Sequence, residues 1–371
     1  MRVGIDASSI VGDRGGVGWH TYHLLKALIG LNEGVEFVGY VNPGSLRNGV
    51  PQGWDGGQGI RWIEAGRLMM RWRGRLDGLD LYHGTNFKMR TTGRCGGIVT
   101  IHDLWLERHP EYSPKLFGQR ASSARTRREA RRARTVITVS EFSAGEIASC
   151  YGIPRERIAV IYNGVADDFR TSSDVQAWSK LRARIGLPTD RFILFVGGAD
   201  PRKNHRLLLK AYTAREARLK EYCLVLVGDP HHRFGSMPET IRALGLADRA
   251  ICTDRLPIET IRLLYAHASL FVFPSLYEGF GMPVLEAMAC GAPVVTSNRT
   301  ALPEVAGDAA VLVNPDNDEE LAEAMVLVLE DAGRRERLKA KGLERVKQFT
   351  WERAARQTLE VYREVCALRG N

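Results

Sequence analysis

Residues 274–286, Pro-Ser-Leu-Tyr-Glu-Gly-Phe-Gly-Met-Pro-Val-Leu-Glu, leave the backbone few ways to fold. The run before them, Ser-Leu-Phe-Val-Phe at 269–273, has the composition of a buried strand and is stopped by Pro274. Pro283 suits a helix start, where its fixed φ fits and its missing N–H would have found no partner. A strand, a glycine-bearing loop and a helix start therefore follow one another directly. Glu278 falls in the loop and Glu286 in the first helical turn. Gly279 and Gly281 let a ligand approach the backbone, and unpaired amides at a helix start attract phosphate. Both carboxylates accept hydrogen bonds from hydroxyls such as those of a sugar or a ribose. The local chemistry reads as a site for a nucleotide-linked sugar.

Strand-to-helix alternation runs through the whole chain and predicts parallel α/β sheets. In the first half, apolar runs at 3–7, 79–83, 97–101, 135–139 and 158–162 read as strands, and the loop Arg14-Gly-Gly-Val-Gly18 opens a helix reaching Leu31. The polar stretch 171–188 reads as an irregular linker. Strands resume at 191–196 and 223–227 with a helix over 204–217 between them, then at 251, 270–273, 293–296 and 311–313. Asp316 with Glu319 predicts a capping box for a helix running to Leu329. Residues 350–368 predict an amphipathic terminal helix. The expected domains are 1–170 and 171–350, each a doubly wound sheet that binds ligands outside the carboxyl ends of its strands.

At 371 residues and 44% hydrophobic content the chain can fill two cores. No run approaches the roughly 18 apolar residues of a membrane span. Met1-Arg2 leads straight into the first strand without the apolar core of a signal peptide, so a cytoplasmic protein is expected. Six cysteines, at 95, 150, 223, 252, 290 and 366, form no Cys-x-x-Cys pair and read as reduced thiols. The net charge of +9 implies an anionic partner. Seven arginines face one acid, Glu129, between Arg120 and Arg134. That run reads either as a solvated face or as a surface for anionic lipid. No aromatics interleave with it and no nucleic-acid module is present, so nucleic acid is not an expected partner. Residues 67–75 mix cations with Leu68, Met69, Met70 and Trp72, which suits either a membrane interface or packing on the first domain.

The Glu278–Glu286 segment, extended by Ala-Met-Ala-Cys-Gly-Ala-Pro-Val-Val-Thr-Ser-Asn to residue 298 and by Leu-Pro-Glu-Val-Ala-Gly-Asp-Ala-Ala at 302–310, resembles the E-x7-E signature of retaining glycosyltransferases. The likeness is to family 4, with its bacterial mannosyltransferase-like members, and covers nearly the whole chain. It implies an α/β protein of the GT-B type: two Rossmann-like doubly wound parallel-sheet domains facing an interdomain cleft. The terminal segment 351–371 would cross back to the first domain. The first domain would hold the acceptor and the second the sugar nucleotide. The implied chemistry is front-side displacement, in which the leaving phosphate oxygen takes the acceptor's proton.

The resemblance assigns roles residue by residue. Glu278 would hold sugar hydroxyls and Glu286 the ribose, with Gly279, Phe280 and Gly281 completing the donor loop. In a second match, Phe195-Val-Gly-Gly-Ala-Asp-Pro-Arg-Lys-Asn204, Lys203 would neutralise the leaving diphosphate. Many members carry arginine where this chain has Gly198. Arg202 is the candidate replacement, although adjacent side chains point differently. His102, in Ile-His-Asp-Leu-Trp at 101–105, reads alone as a satisfied structural histidine; the resemblance implies contact with the donor sugar. Gly16 and Gly18 would turn their amides to phosphate. Val-Ser-Glu-Phe-Ser at 139–143 and Tyr-Asn-Gly-Val at 162–165 also match family positions, and the backbone of 252–257 would meet the nucleotide base. No Asp-x-Asp follows a strand in the first domain, and Asp316-Asn-Asp318 reads as a helix-capping loop. No metal and no cofactor are therefore expected, the sugar nucleotide being a co-substrate. The expected activity moves a hexose from GDP-mannose, or else a UDP-sugar, to a glycan or lipid-linked acceptor in cell-surface polysaccharide synthesis, at the inner membrane face. An epimerase or hydrolase of sugar nucleotides, or a non-catalytic binding protein, are the other readings; the Gly198 departure points toward the latter.

Overall fold

The computed structural model describes all residues except 13, 48, 55–58, 67–68, 90–95, 114–118 and 368–371, and all side chains of those but 71, 74, 75 and 120. The chain forms two compact units, residues 1–164 with 350–371 and residues 165–349. The crossing falls before the irregular stretch that suggested it, because 165–170 pack with the second unit. Phe169 stands edge-on to Tyr265, and Arg262 donates to the Asp168 carbonyl.

The first unit carries seven parallel strands: β1 (Arg2–Asp6), β2 (Glu36–Val41), β3 (Ile60–Glu64), β4 (Leu81–Gly84), β5 (Gly96–Ile101), β6 (Thr135–Thr138) and β7 (Ile158–Val160). Their order is β3-β2-β1-β4-β5-β6-β7. The winding reverses between β1 and β4, and ligands of such sheets bind outside the carboxyl ends of the strands at that reversal. The terminal helix Trp351–Ala367 belongs to this unit: Tyr362 meets His83 of β4, and Arg363 pairs with Glu33. Of residues 67–75, Arg67 and Leu68 lie outside the described set, Met70 is buried, and Met69 and Trp72 are exposed.

The second unit carries β8 (Phe192–Val196), β9 (Cys223–Val227), a two-residue hairpin of β10 (His231–His232) and β11 (Gly235–Ser236), then β12 (Ala250–Thr253), β13 (Leu270–Phe273), β14 (Val294–Ser297) and β15 (Ala310–Val313). The main sheet is parallel in the order β12-β9-β8-β13-β14-β15, and its winding reverses between β8 and β13. Every residue of β13 is fully buried, which is why this strand reads as an unbroken apolar run.

The sequence expectations are corrected in three places. The linker contains a helix, Val175–Ile185, capped by Asp174 and ended by left-handed Gly186, with Trp178 and Leu181 buried. The expected capping box lies one residue later: Asn317 accepts from the Glu320 amide, while the Glu320 carboxylate accepts from Asn314. The helix over 204–217 is two pieces, His205–Ala214 and Glu216–Leu219.

Candidate active site

In the second unit, β8 and β13 are neighbours at the reversal, so the segments leaving their carboxyl ends lie side by side. Lys203 follows β8 and Glu278 follows β13. The Lys203 ammonium donates to Glu278 Oε1 at 2.6 Å, and the Arg202 guanidinium lies 3.8 Å from Oε2. Adjacent in sequence, the two cations nevertheless converge on one carboxylate, because Pro201–Lys203 is a tight 3-10 turn fixed by Asp200, which accepts from the Arg202 amide. Ser275 donates to the same Oε1 at 2.7 Å, and Thr300 accepts from the Glu278 amide. Glu278 is only 6% exposed. Burial pushes its carboxyl up, but Lys203, Arg202 and the hydrogen bonds outweigh burial and hold it below the usual carboxylate range. Asp200 Oδ2 also lies 3.7 Å from Arg202 Nε, so the two cations meet two carboxylates here.

The glycine loop continues into the helix Met282–Ala289. Gly281 caps it with φ +106°, a conformation other residues avoid, and a Cβ there would lie 2.6 Å from Leu302. Pro283 occupies the second helical position, so Glu286 lies one turn in rather than in the first turn. Glu286 accepts from the Tyr265 hydroxyl at 3.3 Å. Burial raises its carboxyl to about 7, against the Tyr265 hydrogen bond and the Lys203 charge. The Phe280 ring is buried edge-on to Phe349, so this residue can meet a ligand only through its backbone. Gly279 stands in the loop between the two glutamates.

The first unit collects three histidines. His102 follows β5 and is 8% exposed; its Nε2 donates to the Thr85 carbonyl at 2.9 Å, which leaves Nδ1 as the acceptor of the neutral ring. His20, on the helix Gly16–Gly30, stands edge-on to His102 at 4.6 Å between ring centroids. Its Nδ1 pairs with Asn163 at 2.7 Å, and its Nε2 has no hydrogen-bond partner among the described residues. His83 bridges Tyr362 and Thr100. Burial lowers all three, so the cluster is neutral. Ser143 donates to the His102 carbonyl, which gives positioning work to both short motifs at 139–143 and 162–165. Gly16 begins the first helix and is exposed; Gly18 lies where any Cβ would collide with the Ser9 carbonyl oxygen. Sequence reasoning missed Ser275, Tyr265 and His20. Only His20 left a local trace, two residues past the glycine loop.

Cys150, Cys223, Cys252, Cys290 and Cys366 are free thiols. Among the described residues no three His, Cys, Asp or Glu side chains gather as a metal-binding set, and no helix is long and apolar enough to cross a membrane.

Residues 14–169 match the family described as Glycosyltransferase Family 4, and residues 179–345 match Glycosyl transferases group 1. The O-antigen chain mannosyltransferase B of Escherichia coli is 35% identical over 294 residues, covering 76% of this chain and 74% of that protein. The serotype-specific mannosyltransferase WbdA of Escherichia coli is 34% identical over 242 residues, 62% of this chain but only 29% of that longer protein. Among solved structures, sucrose-phosphate synthase from Thermosynechococcus elongatus has a TM-score of 0.79 at 21% identity, over 99% of this chain and 100% of that one. Anabaena HepE in complex with UDP and glucose has a TM-score of 0.74 at 21% identity, over 97% and 98%. The chain belongs to family 4 of the glycosyltransferases and has their GT-B fold of two parallel-sheet α/β domains.

Proposed function

We propose that this glycosyltransferase moves mannose from GDP-mannose, with retention and without metal, to a hydroxyl of a glycan or lipid-linked acceptor in cell-surface polysaccharide synthesis. The observation that carries the reading is the convergence of Lys203 and Arg202 on Glu278 at the reversal of the second sheet. A sugar diphosphate carries the charge those cations meet and the hydroxyls that Glu278 and Glu286 accept from. The choice of mannose follows the relatives, O-antigen chain mannosyltransferase B and WbdA; the neighbour HepE binds UDP, so a UDP-sugar is the rival donor.

In this reading the free site stores its cations on Glu278. The arriving diphosphate takes Lys203, and Glu278 turns to the sugar hydroxyls. As the glycosidic bond loosens, negative charge grows on the leaving phosphate, where Lys203 acts more strongly than on the ground state. The Glu278 carboxylate favours the positive charge on the sugar ring. The acceptor's proton passes to the leaving phosphate oxygen, so His102 is needed for position rather than as a base. Exposed arginines of the helix Gln119–Arg132 would meet anionic lipid at the inner membrane face. Arg127 and Arg131 are already engaged with Glu107 and the Tyr151 carbonyl, which reduces that contribution.

The test is transfer from GDP-[1-13C]mannose to a mannose-terminated glycan in EDTA, read by carbon NMR. An α-linked product supports the reading. A β-linked product refutes retention, loss of activity in EDTA refutes metal independence, and mannose release without transfer favours hydrolysis.

A further inference from the structure

Among the described residues four that are not glycine hold the left-handed backbone conformation: Asn32, Phe87, Asn204 and Thr300. The two in the second unit both adjoin the Lys203–Glu278 pair. Asn204 directly follows Lys203 at φ +57°, a conformation asparagine tolerates, and its side-chain amide donates to the carbonyls of Pro274 at 3.2 Å and Pro315 at 2.8 Å. Thr300, at φ +59°, is a different case. A β-branched residue avoids this region, and one that stays there is held by its surroundings.

The turn that carries Thr300 is anchored on the strand side. The Asn298 amide donates to the Val313 carbonyl at 2.8 Å, Ser297 Oγ accepts from the Arg299 amide at 3.1 Å, and the Arg299 guanidinium donates to Asn314 Oδ1 at 3.0 Å and pairs with Asp316. The Thr300 hydroxyl donates its proton to the Arg299 carbonyl at 2.7 Å, which leaves its lone pairs for the Glu278 amide, 3.0 Å away. Ala301, the next residue, donates its own amide to the Glu278 carbonyl at 3.4 Å. Consecutive residues of one turn therefore hold both polar groups of the Glu278 main chain. The Glu278 side chain is held differently, by groups that can let it go: Ser275 Oγ, which donates to the carboxylate, also lies 2.9 Å from the Arg202 carbonyl, so this hydroxyl keeps an acceptor when the carboxylate leaves. Glycine at 300 would relieve the backbone but supplies no acceptor for the Glu278 amide.

We infer that Thr300 is a positioning residue for Glu278: its hydroxyl fixes the Glu278 main chain, so that the carboxylate turns from Lys203 to the donor's sugar about a stationary backbone. The inference rests on the donor reading above. It makes Thr300 a determinant of sugar recognition rather than of nucleotide affinity.

The test compares full-length wild type, Thr300→Gly and Thr300→Ser by calorimetric titration with GDP and GDP-mannose and by hydrogen exchange of the Glu278 amide. Glycine suits φ +59°, so Thr300→Gly folds as wild type does, with the amides of β13 and β14 equally protected. It binds GDP unchanged but loses about tenfold in GDP-mannose affinity, the share of about one hydrogen bond, and its Glu278 amide exchanges faster. Thr300→Ser keeps the hydroxyl and restores both. A GDP-mannose preference that survives in Thr300→Gly overturns the inference, as does an equal loss in Thr300→Ser. Weakened GDP binding with lost protection of β13 and β14 in Thr300→Gly shows a purely structural role and overturns it as well. Wild type with a protected Glu278 amide but no preference for GDP-mannose over GDP removes the donor reading itself, and the role of Thr300 falls with it.

Discussion

Replacing Lys203 by alanine removes the nearer of two cations from a carboxylate that is 6% exposed. Breaking a buried ion pair costs about 3–5 kcal/mol, mostly because the remaining charge is stranded. Here Arg202 at 3.8 Å and the Ser275 hydroxyl at 2.7 Å stay in place, so the expected loss is at the lower end, about 3 kcal/mol. Glu278→Gln keeps an oxygen for Ser275 but strands the Lys203 ammonium, so it also costs about 3 kcal/mol. In Lys203→Ala/Glu278→Gln neither charge is stranded. The double variant therefore loses much less than the two single losses combined, with a coupling of about 3 kcal/mol. Native-state hydrogen exchange of Phe192–Val196 and Leu270–Phe273 reports the second unit alone. Turnover behaves differently: both proteins lacking Lys203 lose about a hundredfold or more in kcat, the usual effect of removing one charge-stabilising group. The stability losses overlap, and catalysis is not restored. Additive stability losses would refute the ion-pair argument, and recovered turnover in the double variant would refute the role given to Lys203.

Three further outcomes are expected. Glu286 ionises at about 7, and the ionised form accepts from ribose hydroxyls, so GDP-mannose affinity rises about tenfold between pH 6 and pH 8; a flat calorimetric profile removes Glu286 from the site. The diphosphate diester does not titrate in that range, so the profile reports the protein. His83 is buried neutral, with its pKa lowered from 6.5 to about 3, so the unfolded chain binds the extra proton and stability is lost as pH falls below 6.5. The loss is about 1.4 kcal/mol per pH unit in the first unit, and hydrogen exchange of β4 and β5 that is unchanged from pH 7 to pH 5 would contradict it. Gly18→Ala drives a methyl into the Ser9 carbonyl and costs about 1–3 kcal/mol; wild-type protection of the first helix would show that the backbone gives way freely.

The parallel sheets were legible because both faces of their strands are covered, so runs such as 270–273 and 223–227 stand out as uninterrupted apolar text. Lys203 and Glu278 were legible as members of loops leaving two strands, whose adjacency in the sheet was not. Their convergence with Arg202 was not, since it depends on a 3-10 turn that adjacency in sequence does not announce. The helix Val175–Ile185 was missed although its signals are present: Asp174 before it, Gly186 after it, and Trp178 and Leu181 one turn apart. Two apolar positions in a polar stretch are a weak period, and Trp178 gains its place by stacking on Phe192 and His267 and by donating its indole N–H to Asp190. Tyr265 and Ser275 reach the glutamates from a helix and a loop, and nothing local marks either as a site residue. Phe280 was read as a donor contact from its place in the loop, whereas its ring serves the core beside Phe349.

The account's central claim is that Glu278, held by Lys203 in the free protein, turns to the donor's sugar. Calorimetric titration of GDP and GDP-mannose into wild type and Glu278→Gln tests it directly. Wild type binds GDP-mannose more tightly than GDP. In Glu278→Gln that difference is lost, while GDP itself binds no more weakly, because Lys203 is freed from its competing carboxylate. A preference for GDP-mannose that survives in Glu278→Gln would contradict the account.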